Sequence, residues 1–289
     1  MNARGRTGRQ LGFSLIELLA ALGIFLVITG AAFTLLTSSQ QRYQTDSQLL
    51  SSFQEARLGM DQIVRDIDDS GFPPPSYLIP TFATQTTSVP FAWSPGYPTS
   101  PCQMGSLVGA GPGTCTTSAS NDYAPGDFDI IIETVPNRLD PSCAPNCPVQ
   151  WIRYQLPVPN GTTLLRGVAP KVIGDDPSVD TANALVPFVQ NVVNNAPSLQ
   201  IGQAQLSAAY PNMFPASASL PIFQYTCDTP TTTQYPAPSC WNAGADNSPA
   251  NIRDVSITLI VASPLPDATT GMPRLVQLSA RGHRVNPNQ

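Results

Sequence analysis

The stretch Gly12-Phe13-Ser14-Leu15-Ile16-Glu17 opens a run of apolar residues that continues to Leu36 and follows a tail, 1–12, bearing Arg4, Arg6 and Arg9 without an acid. At about 1.5 Å per residue, a helix over 13–36 spans about 36 Å, enough to cross a hydrocarbon core of about 30 Å. The arginines keep the short tail cytoplasmic and send the remainder outward. Glu17 does not fit a plain anchor. A charge near the middle of a span costs roughly 2.5–3.5 kcal/mol on insertion scales, which makes an intramembrane acid a functional hypothesis. A secretory signal peptide, cleaved near Thr29-Gly30-Ala31-Ala32, accounts for the apolar run but not for the acid. An ordinary single-pass anchor explains neither Gly12 nor Glu17.

Beyond the span, Leu49, Phe53, Ala56, Met60, Ile63 and Ile67 step by four and three residues, with Gln54, Arg57, Asp61 and Arg65 between them. That spacing predicts one apolar stripe on a polar helix, an amphipathic extension over 37–71 whose stripe packs on the protein's own globular part. Gly71 is placed as a C′ cap and Pro73-Pro74-Pro75 blocks continuation, so one helix runs from about Phe13 to about Ser70. It contains no proline; Gly23 and Gly30 are its weak points.

The remainder has an exported character: 31 prolines, 11% charged residues, and a single lysine, Lys171. The formal charge is −5; without 1–12 it is −8, from 11 basic against 19 acidic residues. Neither figure favours nucleic acid. Residues 72–125 are rich in Pro, Thr, Ser and Gly with no sustained period, and their aromatics (Phe82, Phe91, Trp93, Tyr97, Tyr123) are expected to form a local mini-core. From 126 to 289 short alternating runs predict strands: 128–133, 151–156, then Thr163–Arg166, Leu185–Val193 and Ile222–Thr226. A closing hairpin has Val255, Ile257, Leu259 and Val261 on one strand, Val276, Leu278 and Ala280 on the other, and Pro264–Pro273 as the connection. Helix, long loop, then strands is the order of an α+β protein with an antiparallel sheet packed on the distal half of one long helix. The six cysteines, Cys102, Cys115, Cys143, Cys147, Cys227 and Cys240, permit 15 pairings. Three nearest-neighbour disulfides pinning loops are the expectation in an oxidising compartment.

The Gly-Phe junction with an acid four residues on resembles the processing site of a type IV prepilin. The order of the later segments, from Trp151-Ile152-Arg153-Tyr154 to the closing hairpin, resembles large minor pilins of the PilW type and the J pseudopilin of type II secretion. The resemblance implies cleavage between Gly12 and Phe13 by a prepilin peptidase, N-methylation of Phe13, and pairing of Glu17 with the N-terminus of a neighbouring subunit. It also implies an inner-membrane subunit whose globular part lies in the periplasm, with other minor pilins or pseudopilins, the major pilin and membrane lipid as partners. Many pilins break this helix with a proline, which this chain lacks. Filament-tip adhesion is the alternative from another class.

No catalytic group, cofactor or metal is expected. His283 is the only histidine, beside Arg281 and Arg284 and without a nucleophile elbow. Lys171 follows Ala169-Pro170 rather than a phosphate-binding loop. Cys143 and Cys147 have no second pair of comparable spacing for zinc. Asp129 and Glu133 read as a solvated strand edge, and Asp175, Asp176 and Asp180 as a turn that ends an element.

Overall fold

The computed structural model describes residues 14–73, 87–94, 96–98, 123–135, 147–158, 161–195, 204–214, 218–227, 248–267 and 270–284. Helix α1 spans Leu15–Asp68 without interruption, about 80 Å at the helical rise. Asp69 caps it. Gly71 takes a left-handed φ of 77°, but two residues past that cap, and its N–H donates to the carbonyl of Glu133 at 2.8 Å rather than back to the helix. The sheet therefore fixes where the chain leaves α1.

Among the described residues, two antiparallel sheets stand where one was expected. The first holds β1 (Asp129–Thr134), β2 (Gln150–Gln155), β3 (Leu164–Pro170) and β4 (Val186–Val189) in that order, with the short helix α2 (Pro177–Ala182) between the last two in sequence. After α3 (Ala204–Ala209), the second holds β5 (Phe223–Cys227), β6 (Ile252–Pro266) and β7 (Pro273–His283). Alternation reveals which face a strand buries but not which strand it pairs with, so the division was invisible in the sequence. The closing hairpin is longer than expected: Pro264 and Pro266 belong to β6, and Pro266 pairs with Pro273 across a register shift.

The predicted stripe is the seam between these parts. Ala56, Met60, Ile63 and Ile67 are buried against Ile130, Ile132, Ile152 and Tyr154 of the first sheet and Val255, Ile257, Leu259 and Val261 of the second. Helix and β7 run side by side in the same direction: Arg274 pairs with Asp46 at 2.6 Å at one end, and the His283 N–H donates to Asp68 at 2.8 Å at the other. Gly282 lets the two come close at Ile67. A Cβ built there would lie 2.6 Å from Ile67 Cγ2 and 2.8 Å from Ile67 Cβ, and a β-branched side chain has little freedom to retreat. Gly282→Ala is expected to destabilise the folded part by about 1–3 kcal/mol, read as a lower urea midpoint with unchanged slope.

The strands of the first sheet are covered on both faces. Ile131 and Trp151 turn away from the helix and pack with Ala92, Tyr123 and Tyr97. The Tyr97 ring meets Trp93 and Trp151 edge-on, with centroids 5.4 and 6.0 Å away. This is the expected aromatic mini-core for Trp93, Tyr97 and Tyr123, but it is built on the strands. Phe91 instead joins the main core, and Phe82 lies outside the described residues.

The solvated-edge reading of Glu133 and Asp129 is overturned. Glu133 is fully buried: Lys171 Nζ lies 2.8 Å from its Oε1, Trp151 Nε1 donates to Oε2 at 2.9 Å, and Ser88 N–H donates to Oε1. Burial pushes its carboxyl up against the opposing pull of Lys171. Asp129 holds Arg153 in a two-pronged pair, at 3.0 and 2.6 Å. A third buried acid, Asp66 on α1, accepts from Tyr154 Oη at 2.5 Å and Arg166 Nη2 at 3.0 Å, tying the helix to the first sheet. Asn194 stitches the two sheets: its amide donates to the carbonyls of Leu220 and Thr258, and its oxygen accepts from Ile260 N–H at 2.8 Å.

Candidate functional site

The N-terminal half of α1 touches nothing else in the described structure. Leu15, Ile16, Phe25, Val27 and Leu35 are 59–78% exposed, as are Leu19, Ile24, Leu26, Ile28 and Phe33. No charged residue lies between Glu17 and Arg42. The helix is long and apolar enough to cross a membrane, and none of its most apolar window is buried within the protein. Two hydroxyls within it are satisfied locally: Thr34 donates to Ala31 O at 2.8 Å and Thr37 to Phe33 O at 3.0 Å. An apolar medium therefore meets few open polar groups.

Glu17 stands at the third position of α1, where its Oε2 accepts the backbone N–H of Ser14 at 3.1 Å as part of a capping box. That bond satisfies one of the donors a helix leaves open at its start, and the helix dipole favours a negative charge there. The carboxylate thus has a local partner in the single subunit, something a reading of Glu17 as purely intersubunit missed. The sequence carried the signal, a serine followed three residues later by glutamate. Gly12, Phe13, Arg4, Arg6 and Arg9 lie outside the described residues.

Cys147 and Cys227 each take part in a disulfide. The expected pairing also involves Cys102, Cys115, Cys143 and Cys240, which lie outside the described residues. Among the described residues no three His, Cys, Asp or Glu side chains gather as for a metal. Asp176, read as ending an element, begins one: it caps α2 by accepting from Ser178 N–H at 2.8 Å and also receives the Ser94 hydroxyl. A cleft of about 330 Å³ between α3 and the hairpin is lined by Thr162, Asn191, Leu206, Ser263 and prolines; its Ser263 hydroxyl is committed to the Leu265 carbonyl.

His283 is half-exposed, and its Nδ1 lies 2.6 Å from Asp254 Oδ1, while Arg281 and Thr226 hold Oδ2. Burial works to raise the Asp254 carboxyl, but the bonds from His283, Arg281 and Thr226 outweigh it and keep the group below its ordinary value. A carboxyl with a lower folded than unfolded pKa contributes stability that is present above about pH 4 and lost as pH falls through the folded value. Asp254→Asn is expected to flatten the dependence of unfolding free energy on pH between about pH 5 and pH 2. An unchanged slope would remove this cluster from the acid response.

Residues 7–33 match the family model described as the prokaryotic N-terminal methylation motif. No curated protein and no solved structure matches the chain. The match covers about a tenth of the chain, including the acid and most of the exposed apolar half of α1. It supports a type IV pilin-like subunit anchored through that helix.

Proposed function

We propose that the chain is a minor pilin of a type IV pilus, made as an inner-membrane precursor and incorporated in a small priming or tip complex. The observation that carries this reading is the bare apolar half of α1, headed by a matched methylation motif with Glu17 inside it. Such a surface is stable only in lipid or against other helices, and a subunit that moves from membrane to filament meets both in turn. Prepilin peptidase cuts after Gly12, where no side chain crowds the scissile bond, and Phe13 becomes the methylated N-terminus. Its ammonium then meets the Glu17 carboxylate of a neighbouring subunit. Two charges that are each expensive in a low-dielectric bundle neutralise one another and set the register. A large domain with long loops is awkward to repeat along a thin filament, so few copies at a tip suit it better. Arg4, Arg6 and Arg9 hold the leader in the cytoplasm, which directs the globular domain to the periplasm.

Intact-mass and N-terminal peptide mass spectrometry of membrane-extracted protein tests the processing step. A chain starting at N-methylated Phe13 is expected. One starting near Ala31 or Ala32 makes the protein a secreted domain and ends this reading. Co-purification then separates the rival filament: other minor pilins and a major pilin support the pilus, whereas secretion pseudopilins alone make the chain a J-like subunit.

A further inference from the structure

The distal half of α1 carries apolar residues on two separate faces. One is the buried seam. On the other, Tyr43, Leu50 and Leu58 recur at seven- and eight-residue spacing and are 76, 57 and 71% exposed. Arg57 and Arg65 share this outer stripe, with exposed Asp61 one turn from each; at 3.6 residues per turn all six fall within about 100° of the helix circumference. Neither guanidinium is hydrogen-bonded or ion-paired among the described residues. The stripe is about 33 Å long and continues the bare N-terminal half.

The globular part carries a surface of the opposite character. Val172 and Ile173 are 46 and 83% exposed in the turn before α2, and Val179 on α2 is 38% exposed. Asp175, Asp176 and Asp180 fringe them. Asp176 is occupied as the cap of α2, with Arg153 also acting on it electrostatically; Asp175 and Asp180 have no ion pair among the described residues. Burial and then the neighbouring Asp175 and Asp176 raise the Asp180 carboxyl, a crowding of like charge that a cation would relieve.

We propose that these two surfaces form one interface between copies of this chain, the outer stripe of α1 in one subunit receiving the Val172–Asp180 knuckle of a second. Ile173 packs beside Leu58, and Asp175 and Asp180 face Arg57 and Arg65. The contact is intermolecular, because the outer stripe faces away from the domain that carries the knuckle. It joins two different patches, so two copies in contact leave one patch of each kind open to a further subunit of a small complex. A knuckle of this size covers less than the roughly 1,600 Å² of a standard stable interface. It therefore acts together with the helix contacts on which the assembly reading above rests.

The test places a photo-cross-linking residue at Leu58 of the full chain in native membranes. A cross-linked dimer is expected, with the attached peptide containing Val172–Asp180. Arg57→Asp with Arg65→Asp is expected to lower its yield at least tenfold, and a second copy carrying Asp175→Arg with Asp180→Arg to restore it. Arg57, Arg65 and Asp175 are exposed and Asp180 is half-buried without an ion pair among the described residues; the urea midpoint of each variant confirms that the fold is retained. Attachment to lipid alone, to another protein or to a different part of the second copy overturns the proposal, as does a yield indifferent to the reversals. The N-terminal mass of the same samples reports separately on prepilin processing, and the interface stands or falls on the cross-link whichever mass is found.

Discussion

Glu17→Leu is expected to leave the chain inserted and processed while its recovery with filament partners falls by roughly a hundredfold, the equivalent of about 3 kcal/mol for breaking a buried charge pair. The loss arises because the partner's Phe13 ammonium is left uncompensated in an apolar bundle. The capping box makes a sharper control available. A glutamine at the same position keeps a side-chain acceptor for the Ser14 N–H but removes the charge. Glu17→Gln therefore separates the local task from the intersubunit one: it is expected to assemble as poorly as the leucine variant. Normal recovery of Glu17→Gln with the other subunits would reduce Glu17 to a helix cap and end the pairing mechanism. The measurement is quantitative co-purification, normalised to the amount of processed chain in the membrane.

The second large effect concerns stability. Lys171→Met removes the cation paired with Glu133 and leaves a carboxylate fully buried among Trp151, Ser88 and the first sheet. Breaking one partner of such a pair costs about 3–5 kcal/mol, whereas replacing both partners with apolar groups of similar volume is often neutral. Lys171→Met is therefore expected to be severely destabilising, and Lys171→Met with Glu133→Leu to recover much of the loss. Urea unfolding of the parent, Lys171→Met, Glu133→Leu alone and the double variant closes a double-mutant cycle. Additive losses would mean that the two side chains are not coupled.

The long helix was legible because its information is local. The step of four and three from Leu49 to Ile67 states which face is buried, and that face is the seam. The closing hairpin was equally plain, since Val255 to Val261 and Val276 to Ala280 alternate and are close in sequence. The buried acids were not. Asp66 meets Tyr154 and Arg166 across 88 and 100 residues, and Glu133 meets Lys171 across 38. No periodicity encodes a partner at such a distance, so Glu133 looked like a solvated position and Lys171 looked incidental. The two-sheet arrangement was hidden for the same reason: Asn194 and the bridge between Val192 and Val261 join segments that show only their own alternation. At the candidate site the acid is visible from its apolar surroundings, and its bond to Ser14 follows a capping signature, a serine three residues before a glutamate.

Lys171 is the only lysine of the chain, and its side chain is 7% exposed. A folded subunit therefore offers no accessible lysine ammonium to acylating dyes, aldehyde fixatives and lysine-directed cross-linkers. Fixed or fluorescently stained samples will under-report this protein beside lysine-bearing neighbours, irrespective of how much is present. Acylation of Lys171 itself becomes a reporter with almost no background: it marks molecules in which the first sheet has opened.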